Sequence, residues 1–432
     1  MRAMIWSCFA VCTMATCPAF AQTIAIRAGS VIDPVSGIAS DAAVILVEDG
    51  RITAVGPNER PPRGATIVDL SSAFLSPGLF DTHTHLTAAY RPGTTLREYT
   101  IAVSTAERAL QGVVNAWQML SSGFTTVRDM GNAGEYADAA LAWFFGSGDP
   151  RRRQIYGGAL LENVGAFGHP LVGPTIVFSG KIITPFGGQF LLSPEHPEVG
   201  HQDYIYADTH DALRDAIRQN VHYGATWIKV AVDDFPYQYS VADLRFIVAE
   251  AAAAGALVAA HCMTEIGANA AIAAGVASIE HGYEMRDSTL ARAWERGIYL
   301  VGTEPAGEFN ARFGRSTRDS AIVDRLRRAH RAGTPLAFGA DIIRAPDGLS
   351  RGAASLSVID SWIRAGVPAP DILKAMTVDA AQLLGMNEDR GVVQPGFAAD
   401  LIATTGNPLE NIRALEDVVF VMKNGVVFRT PE

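Results

Sequence analysis

The middle of the sequence alternates short apolar runs with alanine-rich stretches of helical character, and this alternation strongly constrains the fold. Strands separated by helices pair in parallel, because each helix returns the chain to the start of the next strand. We identify eight strand candidates, which read GLFDTHTH, FTTVRDM, QIYGGALL, TWIKVAV, LVAAHCM, ASIEHG, IYLVGTE and LAFGADI. Eight such units predict an α/β fold, a (β/α)8 TIM-like barrel over residues 77–390, with functional residues at the carboxyl ends of the strands.

Both ends of the chain differ from this middle, because they contain short β-rich runs separated by turn signals. Asp49-Gly50 and Asn424-Gly425 are dipeptides typical of hairpin turns. We therefore predict that residues 22–76 and 391–432 form one small composite β-sandwich domain. Residues 165–200 are rich in glycine and proline without clear periodicity, which predicts a loop over the barrel mouth.

The first 21 residues have the features of a secretory leader. One arginine precedes an apolar stretch too short to cross a bilayer, and Ala19-Phe20-Ala21 matches an A-x-A cleavage signal. Cleavage after Ala21 would leave Cys262 as the sole thiol, so no internal disulfide is expected. We expect an exported, periplasmic protein without a membrane span, and the alternative is a buried N-terminal element.

Composition narrows the choice of partners. The 432 residues carry a formal net charge of −10, so a basic nucleic-acid-binding surface is not expected. Hydrophobic residues make up 48% of the chain, which excludes an intrinsically disordered protein. We expect a small molecule as the partner, and the sequence leaves the oligomeric state open, a homo-oligomer included.

Polar residues interrupt the apolar runs at one end of five predicted strands. They are His83 and His85 in the first strand, Lys229 in the fourth, His261 in the fifth, His281 in the sixth and Asp341 in the eighth. Alternate residues of a strand face the same side, so His83 and His85 can bind one metal ion. Unpaired polar groups are costly in an apolar interior, and a shared site explains all six. The alternative is six unrelated residues, each satisfied separately in the core.

The runs GLFDTHTH, WIKV, AAHC, IEHG and FGAD, in this order, resemble the amidohydrolase superfamily. The likeness extends from GSVIDPVSG near the start to ADLIATTGNPLENI and MKNGVV near the end. It is greatest to the secreted branch that includes imidazolonepropionase-like proteins, Xaa-Pro and Xaa-Arg dipeptidases, and ochratoxinase. The resemblance implies two divalent metal ions, taken as zinc, bridged by a carbamylated Lys229 that requires carbon dioxide or bicarbonate. His83, His85 and Asp341 would bind one ion, and His261 and His281 the other.

The implied chemistry is hydrolysis of an amide bond by a metal-bridging hydroxide. Asp341 would take the proton as general base and return it to the leaving amine as general acid. Mononuclear deaminases of the superfamily carry a glutamate where this chain has Thr264, which favours hydrolysis over deamination. We therefore predict an exported binuclear amidohydrolase that acts on a dipeptide or an N-acyl amino acid.

Substrate contacts are less defined by the sequence. His169 resembles the histidine of a family Gly-His loop, and Tyr283 follows His281 closely enough to reach a substrate carboxylate. Tyr237 and Tyr239 follow the fourth strand and are further candidates. For each of these residues, a loop or packing role is the competing interpretation.

Two other groups have structural interpretations. Arg128 and Asp129 end the second strand, which we interpret as a structural ion pair, and Cys262 is interpreted as a small core residue because no base–thiol pattern accompanies it. Three functional alternatives stay open: a lactone or ester hydrolase at the same site, a mononuclear deaminase, and a catalytically inactive binding protein.

Overall fold

A computed structural model describes residues 23–89, 93–147, 172–189, 193–233, 237–304, 319–343 and 348–431. The predicted leader, the predicted strand QIYGGALL and the candidate substrate residue His169 lie outside these ranges. The strands are β1 (Ile24–Asp33), β2 (Ile38–Ala39), β3 (Ala43–Glu48), β4 (Arg51–Gly56), β5 (Thr66–Pro77), β6 (Leu79–Thr84), β7 (Phe124–Asp129), β8 (Thr175–Phe178), β9 (Ile182–Thr184), β10 (Tyr204–Tyr206), β11 (Trp227–Ala231), β12 (Leu257–Cys262), β13 (Ser278–His281), β14 (Tyr299–Val301), β15 (Leu401–Thr404), β16 (Val418–Lys423) and β17 (Val426–Arg429).

Helices follow the parallel strands as the sequence predicts. They are α1 (Leu96–Ala102), α2 (Thr105–Ser121), α3 (Ala137–Phe144), α4 (His210–His222), α5 (Val241–Ala253), α6 (Glu265–Ala274), α7 (Asp287–Glu295), α8 (Asp319–Arg331), α9 (Arg351–Leu356), α10 (Ile359–Ala365), α11 (Ala369–Ala375) and α12 (Val378–Leu383). Several begin at a side-chain cap; in α5, for example, the Ser240 hydroxyl accepts the Asp243 backbone N–H and the Asp243 carboxylate accepts that of Ser240. Within the described ranges, no helix has the length and apolar character needed to cross a bilayer.

Strands from the two ends of the chain pair in one sheet. Its strand order is β17-β16-β15-β5-β1-β3-β4, with β2 paired to β1. β1 and β5 run parallel, and the other neighbours are antiparallel. Both predicted hairpin turns are present, with Asp49 and Asn424 in left-handed backbone conformations. A sandwich of two facing sheets stays a prediction.

The middle of the chain forms two parallel sheets, with the orders β6-β7-β8 and β10-β9-β11-β12-β13-β14. Only three residues separate β8 from β9, so one chain segment links the two sheets. The strand beside β7 is Thr175–Phe178, within the stretch we predicted to be an irregular loop. That prediction was wrong for this part, because the short apolar run TIVF is bounded by Gly and Pro residues that obscure its pattern.

Residues 335–341 connect the opposite edges of these sheets and correspond to the predicted eighth strand. The Leu300 N–H donates to the Pro335 carbonyl at 2.8 Å, and the Thr82 N–H donates to the Phe338 carbonyl at 2.8 Å. The end of this segment is therefore held beside the end of β6. A closed barrel with eight regular strands stays a prediction, since only a single bridge, Leu300 to Leu336, pairs this segment with β14.

Side chains on the two faces of the parallel strands pack in two different hydrophobic cores. On β11, Ile228 and Val230 belong to the large core between strands and helices, whereas Trp227 belongs to a separate cluster that includes Phe80 of β6 and Leu383 of α12. Lys229 shares the face of Trp227, because strand side chains alternate. On β12, Ala259 belongs to the same cluster as Trp227, so His261 shares that face by the same alternation.

Candidate metal centre

Three predicted ligands form a compact group at the ends of β6 and the 335–341 segment. One potential ligand atom from each of His83, His85 and Asp341 lies within 4.8 Å of the others. The Asp341 Oδ1 is 3.2 Å from the His85 Nε2 and 3.8 Å from the His83 Nε2. Two imidazoles and a carboxylate are a common donor set for a divalent metal such as zinc.

The other three predicted ligands lie beside this group. The Lys229 Nζ is 3.4 Å from the His83 Nε2. The His281 ring lies between two neighbours, with its centroid 5.2 Å from that of His83 and 4.6 Å from that of His261. The fold therefore brings all six residues together from five strand ends, although their role as metal ligands stays a prediction.

The backbone is strained where two of these residues lie. His281 has φ 69° and Asp341 has φ 53°, both in the left-handed region that non-glycine residues rarely adopt. Thr303, beside His281, has φ 48°. Such conformations cost about 1–3 kcal/mol each and are held by their surroundings, frequently at functional sites. Here they turn side chains at strand ends towards the common centre.

Hydrogen bonds fix the orientation of three histidine rings. The His83 Nδ1 lies 2.6 Å from the Glu280 Oε2. The His85 Nδ1 lies 2.7 Å from the Gly131 carbonyl oxygen. The His281 Nδ1 lies 2.7 Å from the Thr303 Oγ1. If each Nδ1 carries the proton, each Nε2 keeps its lone pair for the centre. This is the usual arrangement around metal-binding histidines.

Glu280 is a buried neighbour of His83 that the sequence analysis missed. Its side chain is fully buried, and it also accepts from the Arg128 Nη2 at 2.9 Å and from the Ser278 hydroxyl. The sequence signal was its place in IEHG, where we considered only the histidine. Our expected Arg128–Asp129 ion pair is wrong, because Arg128 pairs with Glu280, and Asp129 instead accepts the Leu86 and Gly131 backbone N–H groups.

Burial and neighbouring charges together set the charge state of this cluster. Burial, together with the adjacent Lys229, lowers the pKa of His83 to about 4, so the ring is neutral near pH 7. Burial also lowers the pKa of Lys229 to about 8, which leaves a fraction of neutral amine. Burial alone would raise the pKa of Asp341, but the neighbouring histidines hold it well below its usual range. Neutral imidazoles and an ionised carboxylate are the forms that bind metals.

The candidate substrate residues have different environments. The Tyr283 hydroxyl donates to the Thr303 carbonyl at 2.9 Å, and its ring lies 5.7 Å from that of His281. Tyr239 is buried and donates to the Ala207 carbonyl, which indicates packing, whereas Tyr237 is exposed.

Thr264, the residue that the sequence analysis used to weigh hydrolysis against deamination, has a structural role. The Thr264 hydroxyl caps α6 and donates to the Asp233 carboxylate at 2.7 Å. Glu265, the next residue, accepts the Arg286 backbone N–H and the Thr289 hydroxyl. Cys262 is a buried free thiol, as expected of a small core residue.

The chain is similar to known hydrolases over nearly its full length. The sequence model of the amidohydrolase family matches residues 74–428. Ochratoxinase from Aspergillus niger is 29% identical, with the alignment covering 95% of this chain and 88% of that protein. A crystal structure of a Xaa-Pro dipeptidase with bound methionine has a TM-score of 0.77 at 26% identity and covers 94% of this chain and 100% of its own. A 5-methylthioadenosine/S-adenosylhomocysteine deaminase from Symbiobacterium thermophilum is 25% identical, covering 88% of this chain and 85% of its own.

Proposed function

This chain belongs to the amidohydrolase family, a TIM-barrel-like hydrolase family acting on carbon–nitrogen bonds, and we propose that it cleaves the amide bond of a dipeptide or an N-acyl amino acid. The observation that carries the proposal is the convergence of six polar side chains from five strand ends at one buried centre. The similarity to ochratoxinase and to a Xaa-Pro dipeptidase supports an amide bond in a small, dipeptide-like substrate.

Two divalent metal ions, most simply zinc, fit the donor set. His83, His85 and Asp341 would hold one ion, His261 and His281 the other, and a carbamate on Lys229 would contact both. Bound ions of this kind supply Lewis acidity, which lowers the pKa of water and polarises an amide carbonyl. A carbamate requires a neutral amine, and the burial that lowers the pKa of Lys229 to about 8 favours this form.

Asp341 is the residue best placed to move a proton. Its side chain is 24% exposed, whereas the side chains of His83, His85 and His281 are between 1% and 7% exposed. It is therefore the part of the cluster that a substrate or water can approach. We assign it the acceptance of a proton from attacking water and its delivery to the departing amine nitrogen.

The experiment is a hydrolysis screen with a metal analysis. Protein prepared with zinc and bicarbonate is incubated with dipeptides and N-acyl amino acids, together with lactones and aryl esters of similar size, and products are identified by mass. We expect amides to be cleaved, with about two metal ions per chain, and Lys229→Ala to lose both activity and metal. Cleavage of lactones or esters alone, or one tight metal unchanged in Lys229→Ala, would contradict the proposal.

Deamination is less favoured by the site, because Thr264 occupies the expected glutamate position and serves as a helix cap. Release of ammonia from a cyclic imine substrate, with no amide cleaved, would support it.

We also propose that residues 1–21 direct export to the periplasm. The A-x-A signal at Ala19-Phe20-Ala21 supports this. Expression in a Gram-negative host should give periplasmic protein that begins at Gln22, and an intact Met1 in the cytoplasmic fraction would contradict it.

A further inference from the structure

An aromatic surface lies at the carboxyl end of β9 and β10, on the face of the sheet that also carries Lys229. Ile183, Val230 and Ile205 all pack in the core between strands and helices. Their neighbours Ile182, Ala231 and Tyr204 form a separate small cluster, with Tyr206 packed against it. Since strand side chains alternate, this cluster faces the opposite side of the sheet.

The cluster adjoins the metal centre along β11. Ala231 follows Lys229 by two residues, so both side chains point to the same face. Lys229 is 3.4 Å from His83, which places this face towards the centre. Tyr204 and Tyr206 lie on this face two strands from Lys229, and we call these two residues the aromatic wall. The register puts Tyr204 level with Lys229 and Tyr206 one residue pair nearer the carboxyl ends of the strands.

Tyr206 is the member of this wall that is suited to contact a ligand. Its ring is partly exposed, and its centroid lies 5.4 Å from that of Phe186 and 5.1 Å from that of His201. Gly188 lies against the wall, and a Cβ there would come within 3.4 Å of both tyrosine rings. The wall therefore consists of aromatic rings with a side-chain-free loop residue beside them.

Two buried hydroxyl groups, one of the wall and one of the neighbouring strand β9, lack a hydrogen-bond partner among the described residues. They belong to Tyr206 and to Thr184, which are paired in register on β10 and β9. A buried hydroxyl without a partner in the protein is normally satisfied by an ordered water, an ion or a ligand. By contrast, the Tyr204 hydroxyl donates to the Gln189 side chain at 2.9 Å.

We propose that Tyr206, flanked by Phe186 and His201, binds an aromatic group of the substrate beside the scissile amide, and that the Tyr206 and Thr184 hydroxyls bind a polar substituent on that group. This inference rests on the proposed amide hydrolysis and names its substrate class: amides with an aromatic acyl group or an aromatic amino-acid side chain. Offset or edge-to-face ring contacts add affinity beyond buried area, which a saturated ring of the same size does not gain.

The test compares matched substrates. On the acyl side they are N-benzoylglycine, N-(4-hydroxybenzoyl)glycine and N-cyclohexanecarbonylglycine, and on the amine side N-acetylphenylalanine, N-acetyltyrosine and N-acetylcyclohexylalanine. In at least one series we expect kcat/KM to be about tenfold higher for the aromatic than for the saturated ring, and higher again with the hydroxyl. Tyr206→Leu should reduce the aromatic preference, and Tyr206→Phe should reduce only the preference for the hydroxyl.

The matched control is Tyr223→Phe and Tyr223→Leu, because Tyr223 is an exposed tyrosine at the end of α4 and should leave both ratios unchanged. Equal kcat/KM for aromatic and saturated rings, or ratios unaffected in Tyr206→Leu, would overturn the inference while the proposed hydrolysis stands. If no amide is cleaved, the proposed function fails. In that case, the affinities of benzoate and cyclohexanecarboxylate, measured by calorimetry in the wild type and in Tyr206→Leu, test the aromatic site independently of hydrolysis. Equal affinities of the wild type for the two ligands would overturn the inference.

Discussion

Glu280→Gln tests whether the buried carboxylate beside His83 positions that ring for metal binding. Glutamine has nearly the volume of glutamate, so the substitution changes charge and hydrogen bonding with little change in packing. Burial raises the pKa of Glu280, but Arg128 and His83 lower it to about 2, so the residue is ionised at neutral pH. The variant therefore removes one full negative charge from a site with no exposure to solvent.

The contacts of Glu280 give the expected size of the changes in stability and in metal affinity. The Glu280 carboxylate accepts from the His83 Nδ1 at 2.6 Å and from the Arg128 Nη2 at 2.9 Å. A glutamine side chain has only one acceptor oxygen, so its NH₂ group must face one of these two donors. Breaking a buried ion pair by removing one partner costs about 3–5 kcal/mol in the free energy of unfolding. Loss of an outer partner of a metal-binding histidine lowers metal affinity about 10–100-fold.

Two measurements separate positioning from stability. The free energy of unfolding is measured by guanidinium denaturation. The zinc affinity is measured on the folded protein by competition with a chelator at fixed pH. Glu265→Gln is the matched control, because this partly buried glutamate bonds to Arg286 and Thr289 and belongs to no part of the centre. We expect it to leave zinc affinity unchanged.

One result would refute the reasoning. If Glu280→Gln loses stability but binds zinc within about threefold of the wild-type affinity, Glu280 stabilises the fold without positioning His83. The double variant with Arg128→Met tests the ion pair itself, since removing both charges should recover part of the lost stability while zinc affinity stays low.

Three further predictions concern other parts of the chain. Thr303→Val removes the oxygen that bonds to the His281 Nδ1 and should lower zinc affinity about tenfold, measured by chelator competition; unchanged affinity would contradict it. The Arg351 guanidinium donates to the Ala88, Ile342 and Ile343 carbonyls, which follow His85 and Asp341 in the chain. Arg351→Lys should lower both the thermal midpoint of unfolding and kcat, because one ammonium group cannot reproduce this forked geometry. Wild-type values of both quantities would argue against this role. Burial raises the pKa of Asp379 to about 6, so the fold keeps its proton more tightly than the unfolded chain does and loses stability as pH rises from about 4 to about 6. Asp379→Asn should remove up to about 3 kcal/mol of this pH dependence, seen as a flatter plot of unfolding free energy against pH, and an identical slope in both proteins would count against it.

The sequence determined the features that depend on local pattern. The alternation of apolar runs with helical stretches predicted parallel strands, and the hairpin dipeptides predicted the turns at Asp49 and Asn424. Polar residues in apolar runs identified all six residues that converge, because a buried polar group needs partners wherever the chain places it. The resemblance to amidohydrolases, confirmed by the family match, supplied the chemistry expected of them.

Only the tertiary structure decided which distant groups are in contact. Arg128 pairs with Glu280, 152 positions away in the chain, and not with its neighbour Asp129. Adjacent residues of a strand point to opposite faces, so sequence proximity is a poor guide to ion pairing there. The same holds for Tyr206, which neither composition nor motif singled out. Its place beside the centre depends on the pairing of β10 with β9, and long-range pairing of this kind is set by packing of the whole fold rather than by local sequence.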